Sequence, residues 1–98
     1  MKITVWGARG SIPVSGPEYI RYGGDTTCLQ IETDAGETVI LDAGTGLRRL
    51  GRKLAATPAP QCSFLLTHAH WDHLMGFPFF RPLYQDGASL QIYGCRYA

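Results

Sequence analysis

The sequence has 98 residues, with 45% apolar and 17% charged residues, which is typical of one small globular domain and argues against a disordered chain. A formal net charge of +1 gives no general reason to expect a nucleic-acid or membrane partner. The three cysteines are far apart and form no CxxC pair, which favours buried thiols in a reducing compartment over a disulfide framework. With no signal-peptide pattern and no apolar run of membrane-spanning length, we expect a cytoplasmic protein.

The first half of the chain predicts three strands. Lys2–Trp6 alternates between polar and apolar residues and is predicted to be the first strand. The connection 7–25 is rich in glycine and proline, and is either a loop near a functional site or a surface loop at a sheet edge. Strands are then predicted at 26–33 and 38–41, antiparallel because the turn between them is short. The later of these is continuously apolar, so we expect it to be central and to place Asp42 at its end.

A helix is predicted next, because Leu47, Leu50 and Leu54 recur at helical spacing. Four basic residues lie off that stripe, where a solvated helix face is favoured over an RNA contact: Arg48, Arg49, Arg52 and Lys53. The glycines of 42–47 predict a strand-to-helix turn, since a phosphate loop would need a Gly-Lys-Ser/Thr sequence.

The second half predicts a fourth strand at 61–67, a short helical turn within 74–80, a loop at 81–87 and a fifth strand at 88–93. The whole order indicates an α/β layer arrangement, with one sheet and at least one covering helix.

All three histidines fall within His68–His73, with Asp72 between the second and the third. Imidazole and carboxylate groups bind zinc or iron without help from cysteine. In an extended segment, positions 68, 70 and 72 point the same way, whereas His73 breaks the alternation. This spacing suggests two ligand pairs, His68 with His70 and Asp72 with His73, and two metals ~3.5–4 Å apart can activate water for hydrolysis. The alternative is that these are ordinary loop histidines and that Asp72 caps a turn.

The motif His68-Ala69-His70-Trp71-Asp72-His73 resembles the HxHxDH signature of the metallo-β-lactamase fold superfamily. The aspartate and glycines of 41–46 are similar to those that follow a strand in that superfamily. The segments 7–13 and 22–26 resemble the branch related to tRNase Z and to phosphoribosyl cyclic phosphodiesterase.

The resemblance implies a fold and a set of site residues. Residues 1–98 would form a single partial domain, the N-terminal half of an αββα sandwich, with a mixed, mostly antiparallel sheet and a covering helix, and with the C-terminal half absent. His68 and His70 would bind one metal, and Asp72 and His73 the other. Asp72 would also orient water or protonate the leaving oxygen. Asp42 would brace the ligands from behind, or else cap the helix that follows. The metal would be Zn²⁺, two ions per complete domain, with iron or manganese as alternatives.

The function implied is that of a metal-dependent hydrolase acting on a small-molecule or nucleic-acid phosphodiester. The superfamily completes its site with further ligands downstream, so we expect little turnover from these 98 residues alone. We also expect the uncovered sheet to favour self-association. Two alternatives remain, an iron-dependent oxygenase of the same fold and a non-catalytic remnant.

Overall fold

The computed structural model describes residues 1–95, so that residues 96–98 of the predicted domain lie outside the described part. It contains one five-stranded sheet in which the strands lie in sequence order. The strands and the helix are β1 (Lys2–Gly7), β2 (Cys28–Glu32), β3 (Thr38–Leu41), α1 (Leu47–Ala55), β4 (Gln61–Leu66) and β5 (Ser89–Gly94). Short 3₁₀ turns occur at Pro17–Tyr19, Trp71–His73, Phe77–Phe79 and Arg81–Tyr84. In this part of the chain, no helix has the length and apolar character needed to cross a membrane.

The sheet is mixed, as predicted. β1 pairs with β2 and β2 with β3 in antiparallel fashion, whereas β3 with β4 and β4 with β5 are parallel. The antiparallel pairing of β2 with β3 and the central place of β3 both confirm the sequence predictions. The parallel pairing of β3 with β4 requires a crossover connection, and α1 lies on that connection.

Helix α1 covers one face of the sheet and closes the core. Leu47 and Leu50 of the predicted stripe are fully buried, and Leu54 packs at the edge of the core. From the sheet, Phe64 meets Phe80 edge to face, with ring centroids 5.2 Å apart. The predicted amphipathic helix is therefore confirmed, with its leucines turned toward the sheet.

The opposite face of the sheet carries an apolar row with no element over it in the described part of the chain. Sheet register aligns Val5 with Leu29, Leu29 with Leu41, and Leu41 with Leu65 across four strands. Val5 is 59% exposed and Leu65 is 42% exposed. We call Ile3, Val5, Leu29, Ile31, Val39, Leu41 and Leu65 the open face.

Two local predictions need correction. The second strand begins at Cys28 rather than at residue 26, because the main chain of Thr26 and Thr27 bonds to the turn before α1 instead. Residues 81–87 are not all irregular, since Arg81–Tyr84 forms a 3₁₀ turn with a proline in its first turn, where the fixed φ of proline suits a helix.

Candidate metal centre

The candidate site lies where β3 and β4 end. Because these two strands are parallel, the residues that follow them meet at one edge of the sheet. The Asp42 N–H continues the pairing by donating to the Leu65 carbonyl over 3.0 Å. The end of β3 is thus placed directly beside the start of the histidine stretch.

Asp42 supports the histidine stretch from its buried side. Its side chain is buried and accepts hydrogen bonds from the Thr67 N–H (2.8 Å), the Thr67 hydroxyl (2.8 Å) and His73 Nδ1 (2.9 Å). It does not cap α1, which begins after Gly46 without a side-chain cap. Its φ of 62° is left-handed, a conformation that aspartate tolerates better than most residues and one that clusters at functional sites.

Hydrogen-bond chemistry fixes which nitrogens remain free. A carboxylate only accepts, so His73 Nδ1 is the donor to Asp42, and Nε2 is the ring nitrogen that this hydrogen bond does not use. The Thr67 hydroxyl gives its one proton to Asp42, so its 2.8 Å contact with His68 Nδ1 must be donated by the imidazole. His68 and His73 therefore both present Nε2 as a potential metal ligand.

The segment His68–His73 is not extended throughout. The ligand pairs predicted from an extended segment are therefore not separated in the structure. Trp71–His73 forms a 3₁₀ turn, closed by a hydrogen bond from the His73 N–H to the His70 carbonyl (3.0 Å). The turn brings His73 back toward His68, with ring centroids 4.2 Å apart. The His68 and His70 rings lie 4.4 Å apart. His68 is thus as close to His73 as to its expected partner His70.

Asp72 lies between the three histidines and the loop 7–25, and it contacts both. His73 Nε2 and Asp72 Oδ2 are 3.4 Å apart, close to the ~3.4 Å expected for two ligands bound at ~2.1 Å to one tetrahedral ion. The Ser11 N–H donates to the same carboxylate oxygen over 3.0 Å, and this bond lowers the pKa of Asp72. The loop 7–25, for which the sequence left two interpretations open, therefore contacts the site.

The donor types fit a zinc-like ion, since imidazole nitrogen and carboxylate oxygen are its usual ligands apart from thiolate. Their placement is incomplete, because residues 1–95 contain no group of three or more His, Cys, Asp or Glu side chains arranged around a single ion. Burial raises the pKa of the Cys28 thiol to about 12 and that of the Cys62 thiol to about 11. Both cysteines pack in the hydrophobic core, where their thiols stay protonated at neutral pH.

Sequence reasoning missed two residues that hold the cluster. Thr67 links Asp42 to His68, and its position directly before the motif was the one available signal. Ser11 acts through its main chain on Asp72, 61 positions away, and no sequence pattern reports such a contact.

Imidazole and carboxylate side chains, which are common ligands of catalytic zinc, thus lie together at one edge of a mixed α/β sheet. The sequence model described as "Metallo-beta-lactamase superfamily" matches residues 21–88, more than half of the chain. The chain therefore belongs to the metallo-beta-lactamase superfamily, and its fold is compatible with part of that fold. Neither the curated proteins nor the solved structures compared with the chain contain a match.

Proposed function

We propose that the chain forms the histidine-bearing part of a zinc-dependent phosphodiesterase. One observation carries the proposal: His68 and His73 bond through Nδ1 to a network anchored on buried Asp42, which leaves Nε2 of each ring for a metal, and Asp72 Oδ2 lies 3.4 Å from His73 Nε2. All of these residues fall within the range that matches the superfamily. Superfamily membership supports the hydrolase chemistry, and the donor set supports zinc.

In this proposal His68, His70, Asp72 and His73 are the metal ligands of the chain. A bound divalent metal supplies Lewis acidity toward water and toward the phosphoryl oxygen. Ser11 holds the Asp72 carboxylate as a hydrogen-bond acceptor, which favours a role in orienting water over protonation of the leaving oxygen. Asp42 and Thr67 set the ring orientations through their hydrogen bonds.

The phosphodiester class is supported by the loop that contacts Asp72. Arg9 lies two residues before Ser11, whose N–H bonds to Asp72. The Arg9 Nε donates to the carbonyl of Ile12, the residue after Ser11, over 3.2 Å, so the side chain of Arg9 lies alongside this part of the loop. A guanidinium at this place suits an anionic substrate group. The resemblance of 7–13 and 22–26 to phosphodiesterases points the same way.

Substrate comparison tests the proposal. The zinc-loaded protein, as its gene encodes it, is assayed with bis-p-nitrophenyl phosphate, a thioester and a β-lactam. We expect the phosphodiester to be hydrolysed fastest, with loss of the rate on chelation and in His68→Ala. Turnover of the thioester alone would contradict the phosphodiesterase proposal, and iron-dependent oxygen consumption would replace it with the oxygenase alternative.

We further propose that the ligands in this sequence make only part of a site. Catalytic zinc usually has three protein ligands, and the described residues contain no group of three. Residues 1–98 alone should therefore bind metal weakly and turn over little substrate. Rapid hydrolysis by these residues, abolished in His68→Ala or His70→Ala, would show that the site is complete.

A further inference from the structure

Two cavities, of about 550 and 330 Å³, lie between the exposed side of α1 and the 3₁₀ turn Arg81–Tyr84. Arg52, Arg81 and Tyr84 line both cavities, so the two are next to each other. Among residues 1–95, none of the residues of the candidate metal centre lines either one. We call the residues that line the smaller cavity the arginine surface: Arg48, Arg52, Pro78, Phe79, Arg81 and Tyr84.

The backbone brings the three arginines of this surface to adjoining positions. Arg48 and Arg52 are four positions apart on α1, so their Cβ atoms lie ~5–6 Å apart on one side of the helix. Arg81 is next to them because α1 passes close to its turn at Gly51, where an added Cβ would lie only 3.0 Å from the Arg81 amide nitrogen. Three cationic side chains therefore start from neighbouring points around the two cavities.

The positive charge of the arginine surface is not neutralised by the protein. In the described part of the chain, no carboxylate lies within 4.0 Å of any of its three guanidinium groups. The lining of both cavities also contains no aspartate or glutamate. Three arginines without an acid give a formal charge of +3 at this place, whereas the whole chain has +1. This local excess favours an anionic partner.

Two exposed aromatic rings lie among these arginines. Phe79 is 66% exposed and Tyr84 is 71% exposed. The Tyr84 hydroxyl donates to the Pro78 carbonyl over 2.7 Å, which fixes that end of the side chain on the surface. Tyrosine, phenylalanine and arginine are enriched in protein–protein interfaces, and tyrosine and arginine are enriched at their hot spots. The composition of the arginine surface is therefore typical of a protein-binding site.

The basic residues of α1 do not form one continuous stripe, which argues against a nucleic-acid partner. The Arg49 guanidinium and the Lys53 ammonium lie 5.6 and 5.8 Å from the centre of the Trp6 ring, and both residues line neither cavity. Binding along a nucleic-acid backbone depends on many phosphate contacts in a row. Three arginines around two cavities suit a short segment with a few carboxylates, since each guanidinium can bind a carboxylate through two hydrogen bonds.

We propose that the arginine surface binds an acidic segment of a partner protein, with carboxylates on Arg52 and Arg81 and an aromatic side chain against Tyr84. Adjoining cavities suit an extended segment, in which alternate side chains point the same way and are ~6.6 Å apart. The metal centre takes no part in this binding. The proposal therefore goes beyond the proposed function and does not depend on it.

Binding of a defined acidic peptide tests the proposal. The probe is a short fluorescein-labelled peptide of glutamates and aspartates around a pair of phenylalanines, titrated with the 98-residue chain in chelator and followed by fluorescence anisotropy. We expect amide chemical shifts within 48–56 and 78–85. Affinity should fall by about tenfold when glutamine and asparagine replace the acids, and again when alanine replaces the phenylalanines.

Variants decide whether the arginine surface carries the binding. Arg52→Gln and Tyr84→Leu should each weaken peptide binding by about tenfold, the loss expected for a hot-spot residue. Lys53→Gln is the matched control, because it removes one charge from the same helix at a position that lines neither cavity. Circular dichroism checks the fold of each variant. Unchanged affinity in Arg52→Gln, or an equal loss in Lys53→Gln, would overturn the proposal.

Other occupants of the surface give different results, each of which would also overturn it. Tighter binding of oligouridine than of the peptide would assign the arginine surface to RNA, and tighter binding of phosphatidylserine vesicles would assign it to a membrane. A shift of the chain itself toward monomer in Arg52→Gln, measured by sedimentation velocity, would assign it to a second copy. No peptide binding at millimolar concentration would leave the surface without an acidic partner.

Discussion

Thr67 is the residue on which the orientation of His68 depends. Its hydroxyl donates to Asp42 and accepts from His68 Nδ1, each over 2.8 Å. The hydroxyl therefore fixes the His68 ring relative to the buried Asp42 carboxylate. Groups that orient ligands in this way commonly change metal affinity by 10–100-fold when they are removed.

We therefore predict that Thr67→Val weakens zinc binding by about 10–100-fold, because valine keeps the shape of threonine but has no hydroxyl. Thr67→Ser retains the hydroxyl and should bind zinc almost as the original chain does. Affinities are measured by competition with a chromophoric chelator, and circular dichroism checks the fold. Equal affinity in the valine and serine variants would show that the hydroxyl does not orient His68.

At the scale of elements, the turn after β3 and the segment after the histidines are clamped together by main-chain hydrogen bonds. The Ala43 N–H donates to the His73 carbonyl over 2.8 Å, and the Gly76 N–H donates to the Ala43 carbonyl over 2.9 Å. A Cβ on Gly76 would lie 1.9 Å from the Gly44 carbonyl oxygen, which is too close for any side chain. Glycine at this position therefore allows the two segments to meet.

Gly76→Ala should lower the free energy of unfolding by about 1–3 kcal/mol, because the clamp must open to admit the methyl group. Gly10→Ala is the matched control, since a Cβ there meets nothing within 4 Å. Urea denaturation followed by circular dichroism measures both. A Gly76→Ala chain as stable as the control would mean that the two segments can separate without cost.

The elements themselves could be predicted where their signal was local. The spacing of Leu47, Leu50 and Leu54 predicted α1, and the apolar run 38–41 predicted the central strand. The turn at Trp71–His73 could not be predicted, since extended and 3₁₀ conformations suit the same six residues until Asp42 fixes His73 from 31 positions away. The long-range hydrogen bonds of Arg49 in α1 could not be predicted either.

Arg49 lies on the exposed face of α1, as its spacing predicts, and it also bonds α1 to β1 and to the loop before β2. Its Nη2 donates to the Trp6 carbonyl over 2.8 Å and its Nε to Asp25 over 3.2 Å. Nothing near Arg49 in the sequence indicates these partners, which lie 43 and 24 positions away.

At the scale of the whole molecule, the open face is an exposed apolar surface of the sheet. Ile3 and Val5 are 58% and 59% exposed on the same face as Leu65, and the row from Val5 to Leu65 crosses four strands. Contiguous exposed apolar surface favours association. The chain as described should therefore self-associate through this face.

Sedimentation velocity should show dimers or larger species at micromolar concentration, and Val5→Lys should shift them toward monomer, because a charge cannot be buried between two apolar faces without a partner. Ile12→Lys is the matched control, since Ile12 is 61% exposed but lies outside the sheet. If both substitutions change the association equally, or if the unsubstituted chain is monomeric, the open face does not mediate assembly.

Metal binding by the histidine stretch tests the central claim most directly. The chain is dialysed against Zn²⁺ at concentrations raised from micromolar to millimolar, since weak binding is expected. Bound metal is counted for the unsubstituted protein, for the double variant His68→Ala/His70→Ala, and for Glu37→Ala, an exposed carboxylate far from the cluster in sequence. We expect the unsubstituted and Glu37→Ala chains to bind zinc equally, and the double variant to lose at least nine-tenths of it. No bound zinc in the unsubstituted chain, or equal zinc in the double variant, would contradict the assignment of Thr67–His73 as a metal site.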